Sequence, residues 1–307
     1  MTFRRIAVLC VSATALVLAA GAHAEPKKGF DIAITIDDLP NHGSLPADMT
    51  RVQIGQMTLK ALKDHKVPGV YGFVNAVGIE REPGSEQLLK DWRAVGYPLG
   101  NHTYTHRNVN AGTVEAFEAD VEADEPVLKE LMSDADWHYL RYPFLSAGDA
   151  VHHDQVRTWL KSKGYRIADV SVSFDDWAYT DTYARCVAKG DHVAIAGLKA
   201  RYMDGVRVAI DRSKALSQKV YGRMIPQVLL AHVGGFSAIM LPDVLDELEK
   251  SGAHFVTLDQ AQSDPAYNQE GPHSGDGTLM ERTAGEKGID ISGIAGNSVA
   301  GIDQICR

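Results

Sequence analysis

Between Asp31 and Leu258, short apolar runs alternate with longer segments whose apolar residues recur every three or four positions. The runs at 31–36, 70–74, 97–101, 137–142, 165–170, 227–232 and 254–257 predict strands. The segments near 50–65, 84–95, 113–132, 151–163, 191–221 and 240–251 predict helices. Thr113 before Val114-Glu115-Ala116 is a helix start signal, and Gly164 after Leu160 to Lys163 is a stop signal. Pro126 predicts a kink or break within 113–132. Strands alternating with helices of this length imply βαβ units and a mostly parallel sheet, and about seven repeats point to an α/β barrel. Barrel chemistry gathers where strands end, so functional residues should recur there.

They do. Ile34-Thr35-Ile36 runs into Asp37-Asp38. Burying either carboxylate unpaired costs several kcal/mol, which calls for a metal, a cation or a catalytic proton. The plainer reading is a turn made by Asp-Asp and Leu39-Pro40-Asn41-His42-Gly43, with His42 on turn duty or lining the same mouth. After the third strand comes Asn101-His102-Thr103-Tyr104-Thr105-His106, two histidines four apart, which on a helical turn face the same way. Two imidazoles and one carboxylate, with room for water, make an open catalytic metal site. Arg141, before Tyr142-Pro143-Phe144, either pairs with a carboxylate or sits on the surface before a turn. Ser173-Phe174-Asp175-Asp176-Trp177 offers a second acidic pair and an aromatic that either stacks on a sugar or fills the core. The last long strand ends in His232, a structural residue or a general acid.

These five stretches, in this order, resemble the polysaccharide deacetylase family with the NodB homology domain, carbohydrate esterase family four. Its T-F-D-D motif appears as Thr35-Ile36-Asp37-Asp38, and its H-[ST]-x-x-H motif runs from His102 to His106. R-x-P-[YF] is Arg141-Tyr142-Pro143-Phe144, D-x-x-D-W is partly kept as Asp176-Trp177, and L-x-H is Leu230-Ala231-His232. The resemblance implies a NodB-like, distorted (β/α)7-type barrel holding a divalent metal, usually Zn2+, with Co2+ or another ion as alternatives. The implied ligands are Asp38, His102 and His106. Asp37 would be the general base on a metal-activated water, with Arg141 as its partner, and His232 would protonate the leaving amine. The backbone N–H of Phe144 would face the oxyanion, Trp177 and Leu230 would form the slot for the acetyl methyl, and Asp176 would belong to the substrate-binding set. The sequence departs from the pattern at Ser173, where the family has Asp, leaving the partner of His232 open between Asp175 and Asp176. Leu145-Ser146-Ala147-Gly148 replaces the usual glycine turn, and the long segment 178–225 is expected to carry helix and loop over the cleft.

Composition narrows the setting. With 45% hydrophobic and 23% charged residues the chain has an ordinary globular make-up, and a net charge of −9 gives no electrostatic case for nucleic acid or an anionic membrane. Residues 1–24 read as a signal peptide: Arg4-Arg5, an apolar stretch from Ile6 to Ala20, and Ala22-His23-Ala24 as the cleavage signal. That stretch is short for a membrane span, so no stable membrane insertion is expected after cleavage. Residues 25–262 form the expected catalytic domain, and 263–307 a Gly-rich, poorly structured extension. Cys186 and Cys306 either pair, pinning the tail, or remain free thiols. The leading expectation is an exported (periplasmic or secreted) metal-dependent deacetylase acting on an acetylated oligo- or polysaccharide. N-acetyl groups of GlcNAc-containing glycans such as peptidoglycan or chitooligosaccharide come first. The alternatives are a C–N hydrolase of a small cyclic amide or ureide, and a non-catalytic carbohydrate-binding protein on the same fold.

Overall fold

The computed structural model describes residues 29–268 and 274–307, so the signal-peptide expectation for 1–24 lies outside the described residues. Among the described residues, seven strands form one parallel sheet: β1 (Phe30–Leu39), β2 (Tyr71–Val74), β3 (Leu99–Asn101), β4 (Tyr139–Leu140), β5 (Arg166–Ile167), β6 (Gln227–His232) and β7 (Ala253–Phe255). The order is β5-β4-β3-β2-β1-β6, with β7 on the first residues of β1. Beyond β5 the chain returns to the far edge: Ser171 and Val172 donate backbone hydrogen bonds to Val228, and Leu230 donates to Val172. This contact curls the sheet into the expected distorted barrel.

Period-two alternation along β1 supplies both layers of the core. Ile32, Ile34 and Ile36 pack in the large cluster under the helices, whereas Ala33 joins Tyr71, Phe73, Tyr139, Ala168 and Val228. The helices are α1 (Arg51–Asp64), α2 (Val77–Arg81), α3 (Glu86–Ala94), α4 (Val114–Leu131), α5 (Ala150–Ser162), α6 (Trp177–Lys189), α7 (His192–Tyr221), α8 (Gly235–Lys250), α9 (Leu258–Gln262) and α10 (Leu279–Glu286). Thr113 caps α4 by accepting from the Ala116 N–H. Gly164 follows α5 with φ 81°, the left-handed conformation that glycine tolerates. Pro126 does not break α4. The proline removes one backbone donor, but Val121 before it and Leu128 after it are both seated in the core. No helix among the described residues is long and apolar enough to cross a membrane.

The expectation of a poorly structured extension is corrected for 274–307. Residues 275–279 run beside 145–148, with Ala147 N–H donating to Gly275 O (2.9 Å), Gly275 N–H to Gly148 O (2.7 Å) and Gly277 N–H to Leu145 O (3.1 Å). Leu279, Met280, Ala284 and Ile302 are buried. Arg282 forms a buried ion pair with Asp169. Cys186 and Cys306 form a disulfide with Cα atoms 5.2 Å apart, which resolves the alternative left open by the sequence. The tail is held by backbone pairing and a few apolar anchors spread among glycines, so it shows little periodicity.

Candidate active site

The end of β1 separates its two acids. The β1–β2 register slips between Ile36 and Leu39, and Asp38 adopts φ 64°. This bulge, rather than simple strand alternation, aims the two carboxylates differently. Asp37 is buried and meets Arg141, whose Nη1 lies 3.0 and 3.1 Å from its two oxygens. The same guanidinium donates through Nε to Ala168 O (2.6 Å) and through Nη2 to Thr35 Oγ1 (3.0 Å). Arg141 is therefore a buried strut and not a surface residue. Burial pushes the Asp37 carboxyl up to about 6, against the lowering influence of Arg141.

Asp38 Oδ1 lies 3.4 Å from His102 Nε2 and 3.6 Å from His106 Nε2. Ligands about 2.0–2.2 Å from a tetrahedral ion stand about 3.4 Å apart, so Asp38 Oδ1 has metal-site spacing to both imidazoles, and the three ligand atoms all lie within 4.8 Å of one another. Asp38 Oδ1 is also a buried oxygen without a hydrogen-bond partner among the described residues, as a ligand oxygen awaiting a cation would be. His102 Nδ1 lies 2.7 Å from Arg141 O; donation to that carbonyl leaves the Nε2 lone pair facing Asp38. Burial, followed by the neighbouring His106, holds His102 well below its ordinary pKa; burial also lowers His106. Neutral imidazoles are what a metal requires. The residues fit a divalent ion.

The two histidines are not on a helical turn, which corrects the sequence reading. They come from the loop after β3, where Thr103 and His106 both have φ 59°, and Asn75 Nδ2 ties down the carbonyls of His102 and Thr103. The left-handed residues bring the rings together, with centroids 4.8 Å apart. His42 has a larger part than turn duty. Its Nδ1 is 2.6 Å from Asp38 Oδ2, its ring lies 4.7 Å from that of His232, and it lines the cavity. Burial opposes ionisation of Asp38, but the hydrogen bond and charge of His42 hold its carboxyl far below the usual range. Arg51 fixes the His42 loop by donating to His42 O and Gly43 O while pairing with Glu82.

Across the mouth, His232 Nδ1 lies 2.8 Å from Asp176 Oδ1, and Asp176 Oδ2 accepts from the His232 N–H (2.7 Å) and Ser237 Oγ (2.8 Å). Although burial disfavours the imidazolium, Asp176 raises His232 to about 9. Asp176 is thus the partner that Ser173 does not supply. It lies buried beneath His232 and not on the cavity wall, which corrects its placement in the substrate-binding set. Phe144 (φ 60°) is exposed and packs its ring 4.5 Å from His106, Trp177 is exposed, and Leu230 is buried; all three line a cavity of about 630 Å3. The sequence reading missed Arg212, Thr278, Glu281 and Asn297 on that wall. They lie on α7 and in the tail, far from any recognisable motif.

Residues 24–168 match the polysaccharide deacetylase family model, covering the first three motifs of the site. This stretch, which carries the paired acids, both histidines and Arg141, belongs to the polysaccharide deacetylase family. The chain is 25% identical over 201 residues to a peptidoglycan-N-acetylmuramic acid deacetylase from Bacillus subtilis, covering 66% of this chain and 63% of that protein. It is 24% identical over 243 residues to a peptidoglycan-N-acetylglucosamine deacetylase from Bacillus cereus, covering 77% and 70%. A chitooligosaccharide deacetylase from Sinorhizobium fredii is 24% identical over 147 residues, covering 48% of this chain and 60% of the relative. The chain thus spans about three fifths to seven tenths of the relatives it matches. Its fold is that of the chitin deacetylase from Colletotrichum lindemuthianum (TM-score 0.53, 20% identity, 80% and 92% covered). A polysaccharide deacetylase from Bacillus cereus shares it as well (TM-score 0.52, 17% identity, 74% and 91% covered).

Removing a group that orients a metal ligand typically costs about 10–100-fold in metal affinity. His42→Ala is expected to weaken zinc binding by that range, and His42→Asn, which retains an amide to face Asp38 Oδ2, by less. Competition against a chromophoric chelator checks this; unchanged affinity in His42→Ala would remove His42 from the account.

Proposed function

We propose that the protein is an exported, divalent-metal-dependent carbohydrate deacetylase that hydrolyses N-acetyl groups of GlcNAc-containing glycans such as peptidoglycan fragments or chitooligosaccharides. The observation that carries this reading is the division of labour at Asp37-Asp38: one carboxylate joins two neutral imidazoles, the other is reserved by a buried arginine. Zinc is the first choice for a His2Asp set, and when bound it supplies a Lewis acid and a water with pKa near 7. Asp38, His102 and His106 are its proposed holders.

The chain's own residues supply the remaining chemistry. Asp37, with a pKa of about 6, accepts the proton of the attacking water at a carboxylate oxygen, and Arg141 keeps that carboxylate oriented. An amine is a poor leaving group, so the nitrogen must be protonated as the C–N bond breaks. In this reading His232, whose imidazolium Asp176 favours, donates that proton. Leu230 offers an apolar wall to the acetyl methyl, while exposed Phe144 and Trp177 offer faces to sugar rings, with the Phe144 backbone N–H proposed as a donor to the developing oxyanion. The glycans named for the relatives support the substrate class. The N-terminal pattern and the Cys186–Cys306 bond support export, because disulfides persist in oxidising compartments.

Acetate release by the zinc-loaded protein from N-acetylchitooligosaccharides, peptidoglycan fragments and acetylxylan tests the reading. Release from the first or second is expected; release from acetylxylan alone would make the enzyme an O-deacetylase, and release from none would refute it. His232 acts as an acid only while protonated, so activity should fall as pH rises through its pKa. Asp176→Asn removes the charge that raises that pKa and should move the alkaline limb of the kcat profile to lower pH. An unmoved limb would assign the acid elsewhere.

A further inference from the structure

We propose that α7 and the C-terminal segment build a second lobe of the cavity, which binds the sugar ring next to the acetylated one in a short oligosaccharide. The proposal rests on the deacetylase reading above. The cavity lined by the catalytic residues is lined as well by Arg212 of α7, by Thr278, Glu281 and Asn297 of the tail, and by the apolar Ala209 and Leu216. An apolar surface with a few convergent polar groups is the usual make-up of a small-molecule site. A volume of about 630 Å3 lies in the range for drug-sized ligands, roughly 300–1,000 Å3, and exceeds what one sugar ring fills.

The polar groups on this wall are fixed in advance. Glu281 Oε1 lies 2.9 Å from Arg212 Nη2, and its Oε2 accepts from Thr278 N (2.9 Å) and Oγ1 (2.8 Å). Arg212 also donates to Ile294 O (2.7 Å). The guanidinium and the carboxylate offset each other, so the lobe presents planar donors and acceptors without net charge, which suits neutral hydroxyl and acetamido groups. Asn297 donates to Phe174 O (2.6 Å) and reaches Asp175, which also bonds Trp177. Asp175 thus links the exposed tryptophan of the catalytic end to the tail.

The wall is attached to the catalytic loops. Backbone pairing joins 275–277 to the residues just after Phe144, Leu279 N–H donates to Val170 O (2.7 Å), and Arg282 bonds Asp169 as well as the carbonyl of Gly277. Arg201 of α7 donates to Ser298 O and Ala300 O, and the Cys186–Cys306 bond closes the far end. A lobe rigid before the ligand arrives spends less affinity on ordering itself. All of it lies beyond residues 24–168, so it belongs to the part of the chain that the family model does not reach.

The test uses the zinc-loaded, disulfide-intact protein and N-acetylglucosamine with its β-1,4-linked oligomers up to the pentasaccharide. For wild type, kcat/KM should rise about tenfold or more from the monosaccharide to the di- or trisaccharide, then level off as the lobe fills. Asn297→Ala and Arg212→Gln should each lower that rise by about tenfold, the scale of one or two lost hydrogen bonds, through KM rather than kcat. Thermal unfolding identifies any variant that has lost its fold, and the second variant then decides. A rise that survives in both folded variants, or a wild type indifferent to length, overturns the lobe while leaving the deacetylase reading intact. Neither acetate release nor calorimetric binding with any member of the series overturns both.

Discussion

The structure depends on one buried ion pair. Arg141 meets Asp37 inside the barrel, and its other nitrogens reach Ala168 O and Thr35 Oγ1, while its own carbonyl fixes the His102 ring. One residue therefore ties the ends of β1, β4 and β5 to a metal-ligand candidate. Losing either partner of such a pair typically costs about 3–5 kcal/mol, because the survivor is left buried and uncompensated. The same pair frees Asp38 from any need of an arginine, so its Oδ1 can remain open toward the two histidines.

Charge is then partitioned across a few ångströms. Asp37 sits near 6 through burial, Asp38 is held far lower by His42, and His232 is raised to about 9 by Asp176. Groups whose environments push their pKa values apart can divide acid and base work at one pH. The partition depends on neighbours that back these groups: Asp176 beneath His232, His42 beside Asp38, and Arg51 behind His42.

The strand-end acids, both histidines, Arg141 and His232 were legible because a short apolar run ending in a polar residue carries position and chemistry together. The strand positions were legible for the same reason, while β4 and β5 proved shorter than their apolar runs. What spacing does not encode is φ. The bulge at Asp38 and the left-handed Thr103 and His106 set where the side chains point, and all three are non-glycine residues that give no local warning. The Ser173 substitution obscured Asp176, whose two hydrogen bonds to His232 appear only in three dimensions. The tail was misread because Gly275, Gly277 and Gly148 attach it through backbone groups, which leave no apolar period.

The central claim is that Asp37 and Asp38, adjacent in sequence, are not interchangeable. Zinc-binding isotherms for Asp37→Asn and Asp38→Asn, taken on folded protein with acetate release measured in parallel, test it most directly. Asp38→Asn should lose more than about a hundredfold in zinc affinity, beyond the usual cost of removing an orienting group. Asp37→Asn should bind zinc within a few-fold of wild type yet lose most of its turnover. Equal losses of zinc affinity in the two variants, or a greater loss in Asp37→Asn, would contradict the account.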